Sequence, residues 1–271
     1  MDRIKQAIEK AKASRPHRPA KKDDRAGITP IHPGVQRAEI VYDQTSVVRL
    51  DPRHLEANRI VALDQTDSRR IIFDMLRTQI SRKMRENGWK TLAITSPTPG
   101  CGKTLVAINL AISMAQKTDQ TALLVDFDLR RPSIGKQLGL PPGPPLADYL
   151  NGEAALADML VNPNIHGLVV LPNSAPIPRS SEVLMDVKVQ SLVSEIRERY
   201  ESRVIIFDLP PILTTDDVLA FLPQVDCVLM VVANGMSTKS EIEESTRLLA
   251  TSNLIGTVLN KSESAPAGYY Y

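Results

Sequence analysis

A chain of 271 residues, 42% apolar but only 4% aromatic, can build one α/β domain of about 200 residues plus extensions, with a core of Val, Ile and Leu. A formal charge of +2 argues against a dedicated nucleic-acid binder, and two cysteines exclude a disulfide framework. No apolar run approaches the roughly 18 residues of a membrane span, and the opening MDRIKQAIEKAK is too charged for a signal peptide, so a cytoplasmic protein is expected.

Ile4, Ala7, Ile8 and Ala11 recur at helical spacing and predict a short amphipathic helix over residues 1–12, a docking element marginal on its own. Residues 13–58 carry scattered Pro, Gly, His and charge, which predicts a largely irregular linker with extended stretches such as 38–42 and a solvated basic part at 15–25. From residue 67 a helical period takes over (Ile71, Ile72, Met75, Leu76, Ile80, Met84) and runs to Asn87-Gly88. Apolar strand candidates follow at 92–95, 122–126, 168–171, 204–208, 227–232 and 257–259, with helical patterns between them such as 187–200 and 239–251. Strands alternating with helices and carrying few polar residues predict a doubly wound, mostly parallel sheet with helices on both faces, filling a domain over 59–262. Residues 263–271 then form a flexible tyrosine-rich tail.

The first strand candidate runs into residues 96–104 (SPTPGCGKT) and an apolar helix, the setting of a phosphate-binding loop. Glycines let backbone N–H groups turn inward around an anion, and the helix N-terminus adds positive potential. Pro99, Gly100, Cys101, Gly102, Lys103, Thr104 and Leu105 are therefore the candidate nucleotide contacts. Lys103 can reach the outer phosphates, and the Thr104 hydroxyl can ligate Mg²⁺. Cys101 reads either as a tolerated small residue or as a thiol made oxidisable by the helix N-terminus.

In doubly wound sheets ligands sit at the carboxyl ends of strands, and acidic residues fall there in this chain. Residues 123–132 (LLVDFDLRRP) place Asp126 and Asp128 at a strand exit, where two like charges cost stability unless a cation or catalysis uses them. Residues 204–211 (VIIFDLPP) end a second strand in Asp208, a Walker B arrangement. Thr104, Asp128 and Asp208 with two phosphate oxygens suffice for Mg²⁺, leaving Asp126 as the candidate base, although Asp126 and Asp128 can exchange these roles. Lys103, Asp126 and Asp128 are thus the candidate catalytic set. Cys227, inside an apolar strand, reads as a small buried hydrophobe.

Together these motifs resemble the bacterial tyrosine kinases of capsule and exopolysaccharide systems, a P-loop NTPase fold of the ParA/MinD-like subclass, over roughly residues 60–271. Residues 96–104 match its Walker A, 124–130 with Arg130 its additional acidic motif, and 205–208 its Walker B. Three of the chain's six tyrosines, Tyr269, Tyr270 and Tyr271, end the sequence and resemble the family's autophosphorylation cluster. The resemblance implies ATP and Mg²⁺ as cofactors and transfer of the γ-phosphoryl group to those tyrosines. It further implies a phosphotyrosine phosphatase, self-association, and a membrane-embedded activator of the chain-length-determinant type that recruits the protein to the inner face of the membrane. No nucleic-acid partner is implied. Asn260 matches a residue that reads adenine in related proteins, and serves equally as a strand-end turn residue.

Two departures stand out. The family's Glu-x-x-Arg-x-x-Arg helix, which builds a ring of subunits, is represented by Ile71, Asp74 and Arg77, so only the last arginine remains, free to pair with another acid. Positioning ATPases of the ParA/MinD type, the alternative reading, carry a signature lysine early in the loop, where this chain has Thr98. A catalytically idle nucleotide-binding regulator of polysaccharide export is the third reading.

Overall fold

A computed structural model describes residues 46–116, 120–199 and 202–262. The expected helix over 1–12, most of the linker, and the tail with Tyr269, Tyr270 and Tyr271 lie outside the described residues.

Eight strands form one sheet in the order β1-β4-β5-β3-β6-β2-β7-β8. They are β1 (Ser46–Val47), β2 (Thr91–Thr95), β3 (Thr121–Asp126), β4 (Val161–Asn162), β5 (Leu168–Leu171), β6 (Arg203–Asp208), β7 (Cys227–Ala233) and β8 (Leu254–Asn260). All neighbouring pairs are parallel except β4–β5. Strands β2, β5, β6 and β7 are buried at every position, which is why they read as continuous apolar runs and not as alternating ones.

Successive residues feed opposite faces. Leu92, Ile94, Ala122, Leu124, Val204 and Ile206 join one core with Val106, Ile108 and Leu110 of the Lys103–Ala115 helix. Ala93, Leu123, Val125, Ile205 and Phe207 join the other, under the Val187–Glu198 helix. Both faces are covered, as the doubly wound reading requires. The second core departs from the purely aliphatic expectation: Phe127, Phe207 and Phe221, three of the chain's four phenylalanines, meet with ring centroids 4.9–5.3 Å apart. Phe127 and Phe207 adjoin the aspartates of the strand ends, so a rigid apolar wedge backs the acidic cluster.

Helix limits follow their caps. The Arg70–Asn87 helix stops at Gly88, whose φ of 69° is one that residues with a Cβ rarely adopt. Asp186 caps the Val187–Glu198 helix, and Thr238 with Glu241 forms a capping box on Lys239–Leu248. The last of these ends three residues before the expected 251.

The linker expectation over 13–58 fails at its carboxyl end. Ser46–Val47 pairs with β4, and Pro52–Ala57 is a helix capped by Asp51 that buries Leu55. A two-residue strand and a six-residue helix have too short a period to stand out from a proline-containing stretch. The next segment is sealed by a buried side chain: Asn109 Oδ1 accepts from the amides of Val61 and Ala62 at 2.8 and 2.9 Å.

Candidate functional site

The P-loop leaves β2 and turns on two glycines, Gly100 (φ 82°) and Gly102 (φ 90°). Its base is tied to the segment after β6, since the amides of Ile212 and Leu213 donate to the carbonyls of Ser96 and Pro97 at 2.9 and 3.1 Å. On the other side, Asn260 Nδ2 at the end of β8 donates to the Cys101 carbonyl at 2.8 Å. A Cβ on Gly102 would lie 2.2 Å from that same nitrogen, so this position admits only glycine. Pro99 and Gly100 are exposed at the turn, while Leu105 sits half-buried in the first turn of the helix.

Lys103 is buried and reaches across to the strand ends. Its Nζ lies 2.7 Å from Asp128 Oδ2 and 3.4 Å from Asp208 Oδ1. Burial disfavours its ammonium form, but Asp208 and Asp128 outweigh that and hold its pKa above the ordinary lysine value. Thr104 Oγ1 donates to Asp208 Oδ2 at 2.6 Å. Asp208, wholly buried, has its pKa raised by that burial despite Lys103 and Thr104.

Asp126 pairs in register with Asp208 across β3 and β6. Its Oδ2 accepts from the amides of Ser133 and Ile134, both at 2.9 Å, whereas its buried Oδ1 has no hydrogen-bond partner among the described residues. Burial, then Asp208, push its pKa up to about 8. The sequence left Asp126 and Asp128 interchangeable; their surroundings differ sharply. Asp128 is the lysine partner and also accepts the Arg131 amide at 3.1 Å, while Asp126 is held by backbone with one oxygen uncommitted.

Three carboxylates thus face one ammonium in a desolvated pocket, an excess of negative charge that a divalent cation would balance. The donor set suits Mg²⁺: Thr104 and Asp208 present adjacent oxygens, and Asp128 and Asp126 supply more. Among the described residues no group of His, Cys, Asp and Glu could hold a metal unaided.

Cys101 is 0% exposed, with Sγ 3.5 Å from Ser237 Oγ and 3.7 Å from Thr98 Oγ1, so it packs inside the loop and is not offered to oxidants. Cys227 is buried as expected, its thiol pushed up to about 12 by burial. Arg77 pairs within the chain: Nη1 lies 2.8 Å from Asp74 Oδ1 and donates to the Ser113 carbonyl at 3.1 Å. Ile71, where the family has glutamate, is 62% exposed. Arg130 donates to Ser180, at the start of the Ser180–Met185 helix, and to Asp217, at the start of Asp217–Phe221. Asp217, Ser133 and Ser237 were not legible as site residues, because each reads as an ordinary helix-start or turn residue.

Among the described residues no helix is long and apolar enough to cross a membrane. No protein-family model matches the chain. The tyrosine-protein kinase CpsD of Streptococcus agalactiae is 30% identical over 202 residues, covering 73% of this chain and 85% of that protein. Other curated relatives are longer, and the chain spans only 26% of their length. The kinase domain of Escherichia coli tyrosine kinase ETK superposes with a TM-score of 0.70 at 28% identity, over 83% of this chain and 93% of that one. The septum site-determining protein MinD of Pyrococcus horikoshii, complexed with Mg-ADP, shares the fold at a TM-score of 0.54 and 21% identity, over 64% of this chain and 72% of that one. The likeness to MinD shows the fold alone, whereas the identity and coverage shared with CpsD show the family: the chain belongs to the bacterial tyrosine-protein kinases.

Proposed function

We propose that this protein transfers the γ-phosphoryl group of ATP to Tyr269, Tyr270 and Tyr271 of its own tail or of another copy's, and so regulates capsule or exopolysaccharide synthesis and export. The observation that carries the reading is the pairing of a fully engaged Lys103 with an under-satisfied Asp126. Bound Mg-ATP supplies the phosphoryl group and the counter-charge for the carboxylates. Backbone N–H groups of residues 99–104 hold the phosphates, and Lys103 exchanges its carboxylate contacts for phosphoryl oxygens as charge develops. Thr104, Asp208 and Asp128 would hold the Mg²⁺ ion, which would supply counter-charge to the phosphates, and Asp126 Oδ1 would take the phenolic proton.

Asn260 steadies the loop through the Cys101 carbonyl, and this bond supports a positioning role over direct reading of adenine. Each phosphotyrosine adds about −1.5 to −2 charges, so a fully modified tail carries roughly −4.5 to −6 beside an acidic site and is released. Release changes self-association. A ring made by the family's ion pairs is unsupported, since Asp74 and Arg77 satisfy each other. A membrane-embedded activator recruits the protein from the cytoplasm to the inner face of the membrane, and a phosphotyrosine phosphatase resets the tail.

The test is mass spectrometry of the purified chain with Mg-ATP. Phosphate should appear on residues 269–271 and vanish in Lys103→Met; an unmodified tail, or undiminished modification in the variant, would overturn the assignment.

A further inference from the structure

Strand order sets a direction across the carboxyl ends of the sheet. β8 ends in Asn260, β2 feeds the P-loop, β6 ends in Asp208 and β3 ends in Asp126. Asn260 and Met236 meet the loop from the β7–β8 side, while Lys103 and Thr104 reach toward β6 and β3. The outer phosphate therefore lies toward β3, and the acceptor approaches from beyond it. There β3 leads into a turn, with the Arg131 amide donating to the Asp128 carbonyl at 3.0 Å, and Arg130 sits in that turn.

The Arg130 guanidinium is anchored along one edge. Nε donates to Ser180 Oγ at 3.0 Å and to Asp217 Oδ1 at 3.3 Å; Nη2 donates to Asp217 Oδ1 at 3.2 Å and lies 3.7 Å from Asp216 Oδ1. Nη1 has no partner among the described residues, and the side chain is 50% exposed. The anchor is costly. Asp217 is wholly buried, its Oδ1 also receives the Thr215 hydroxyl, and its Oδ2 has no hydrogen-bond partner among the described residues. Burying a carboxylate with an unsatisfied oxygen and immobilising a long side chain both oppose folding. What they leave is a pre-aimed cation with an accessible N–H edge, in the turn that follows β3 and its Asp126 and Asp128.

We infer that Arg130 is the acceptor-side phosphate contact, its Nη1 edge holding the phosphoryl oxygens of a phosphotyrosine after transfer, with Asp217 and Ser180 as the positioning residues that aim it. The inference rests on the kinase reading above. A guanidinium edge holds a phosphate dianion through two parallel charge-assisted hydrogen bonds, a geometry that the point charge of an ammonium does not reproduce, and an unmodified phenol offers it no anion to hold. The phosphorylated tail is accordingly held better than the unmodified one.

The test is binding of a fluorescent peptide of residues 262–271, with and without phosphate on Tyr269, to the full chain loaded with Mg-ADP. Arg130→Ala should weaken the phosphopeptide about tenfold or more and the unmodified peptide less than about twofold, with Arg130→Lys recovering only part. Asp217→Asn and Ser180→Ala should weaken the phosphopeptide in the same direction, by about threefold or more, while ADP affinity stays within about twofold. Arg131→Ala, which removes a neighbouring exposed charge, should leave it within about twofold. Equal losses for both peptides, a parallel loss of ADP affinity, or an equal effect of Arg131→Ala would each overturn the inference. Failure of the wild-type chain to transfer phosphate from ATP would instead overturn the kinase reading, since peptide binding is read without turnover.

Discussion

Aspartates stand at both ends of the central strands, and their treatment is opposite. At the amino ends, Asp226 precedes β7 and accepts from the Lys90 and Thr91 amides at 2.8 and 2.9 Å, from the Thr91 hydroxyl at 2.9 Å, and from Arg197 at 2.7 Å. Burial opposes its charge, but these donors outweigh it and hold its pKa below the usual carboxylate range. At the carboxyl ends, Asp126 and Asp208 crowd each other in a desolvated pocket, and both are pushed up. A carboxylate that serves the fold is saturated with donors; those that serve chemistry are left short of them. The shortfall is stability withheld until a ligand arrives.

The strongest challenge to this contrast is Lys103→Met, which removes the single cation among three carboxylates. Tail phosphorylation, followed by radiolabel from ATP, should fall by at least about a hundredfold, and nucleotide affinity should fall with it. Asp126→Asn should cost at least about tenfold in phosphorylation while nucleotide affinity is largely retained.

The same variant should also stabilise the unliganded protein. A folded-state pKa raised from 3.8 to about 8 means that the native state favours the protonated form. That contribution is full below pH 3.8 and is lost as pH rises through about 8. Asn mimics the neutral form, so its advantage grows across that window: Tm measured without nucleotide should be little changed near pH 4 and higher by roughly 3–8 °C at pH 8. A variant no more stable than wild type at pH 8 would break the contrast.

Asp226→Ala should do the reverse. Leaving two amides and a hydroxyl without their acceptor costs about 2–3 kcal/mol, or roughly 5–10 °C in Tm, with phosphorylation at 25 °C within about twofold of wild type. A fourth measurement sharpens the loop's part in this: Asn260→Ala should weaken ATP binding by about three- to tenfold, read by fluorescent nucleotide titration, through loss of one hydrogen bond to the Cys101 carbonyl. The smallest effect belongs to Cys101→Ser. With the thiol buried, activity and resistance to peroxide should both stay within about twofold of wild type.

Reading of the chain was reliable where local chemistry repeats a strong pattern. Residues 92–95, 204–208 and 227–232 fall inside strands because runs of three, four and seven consecutive apolar residues (92–94, 204–207 and 227–233), buried on both sides in a covered parallel sheet, suit a strand. It was weak where an element is short, as in Ser46–Val47, Val161–Asn162 and Pro52–Ala57, whose order depends on what they touch. Lys103, Thr104 and Asp208 were legible from spacing and do converge. The separate duties of Asp126 and Asp128 were not, because two residues apart on one chain they differ only in what other strands and loops bring to them.

Sequence by itself determined the loop, the strand-end acids and the six longer strands, since each is written in contiguous residues governed by backbone conformation and hydrophobic period. Only the tertiary structure decided that Asn260 grips the loop, that Arg77 reaches the Ser113 carbonyl, that an aromatic wedge backs the acids and that Arg130 is tethered to Asp217. These are contacts between side chains brought together by packing, and their energies depend on burial and partner distance, which no run of neighbouring residues encodes.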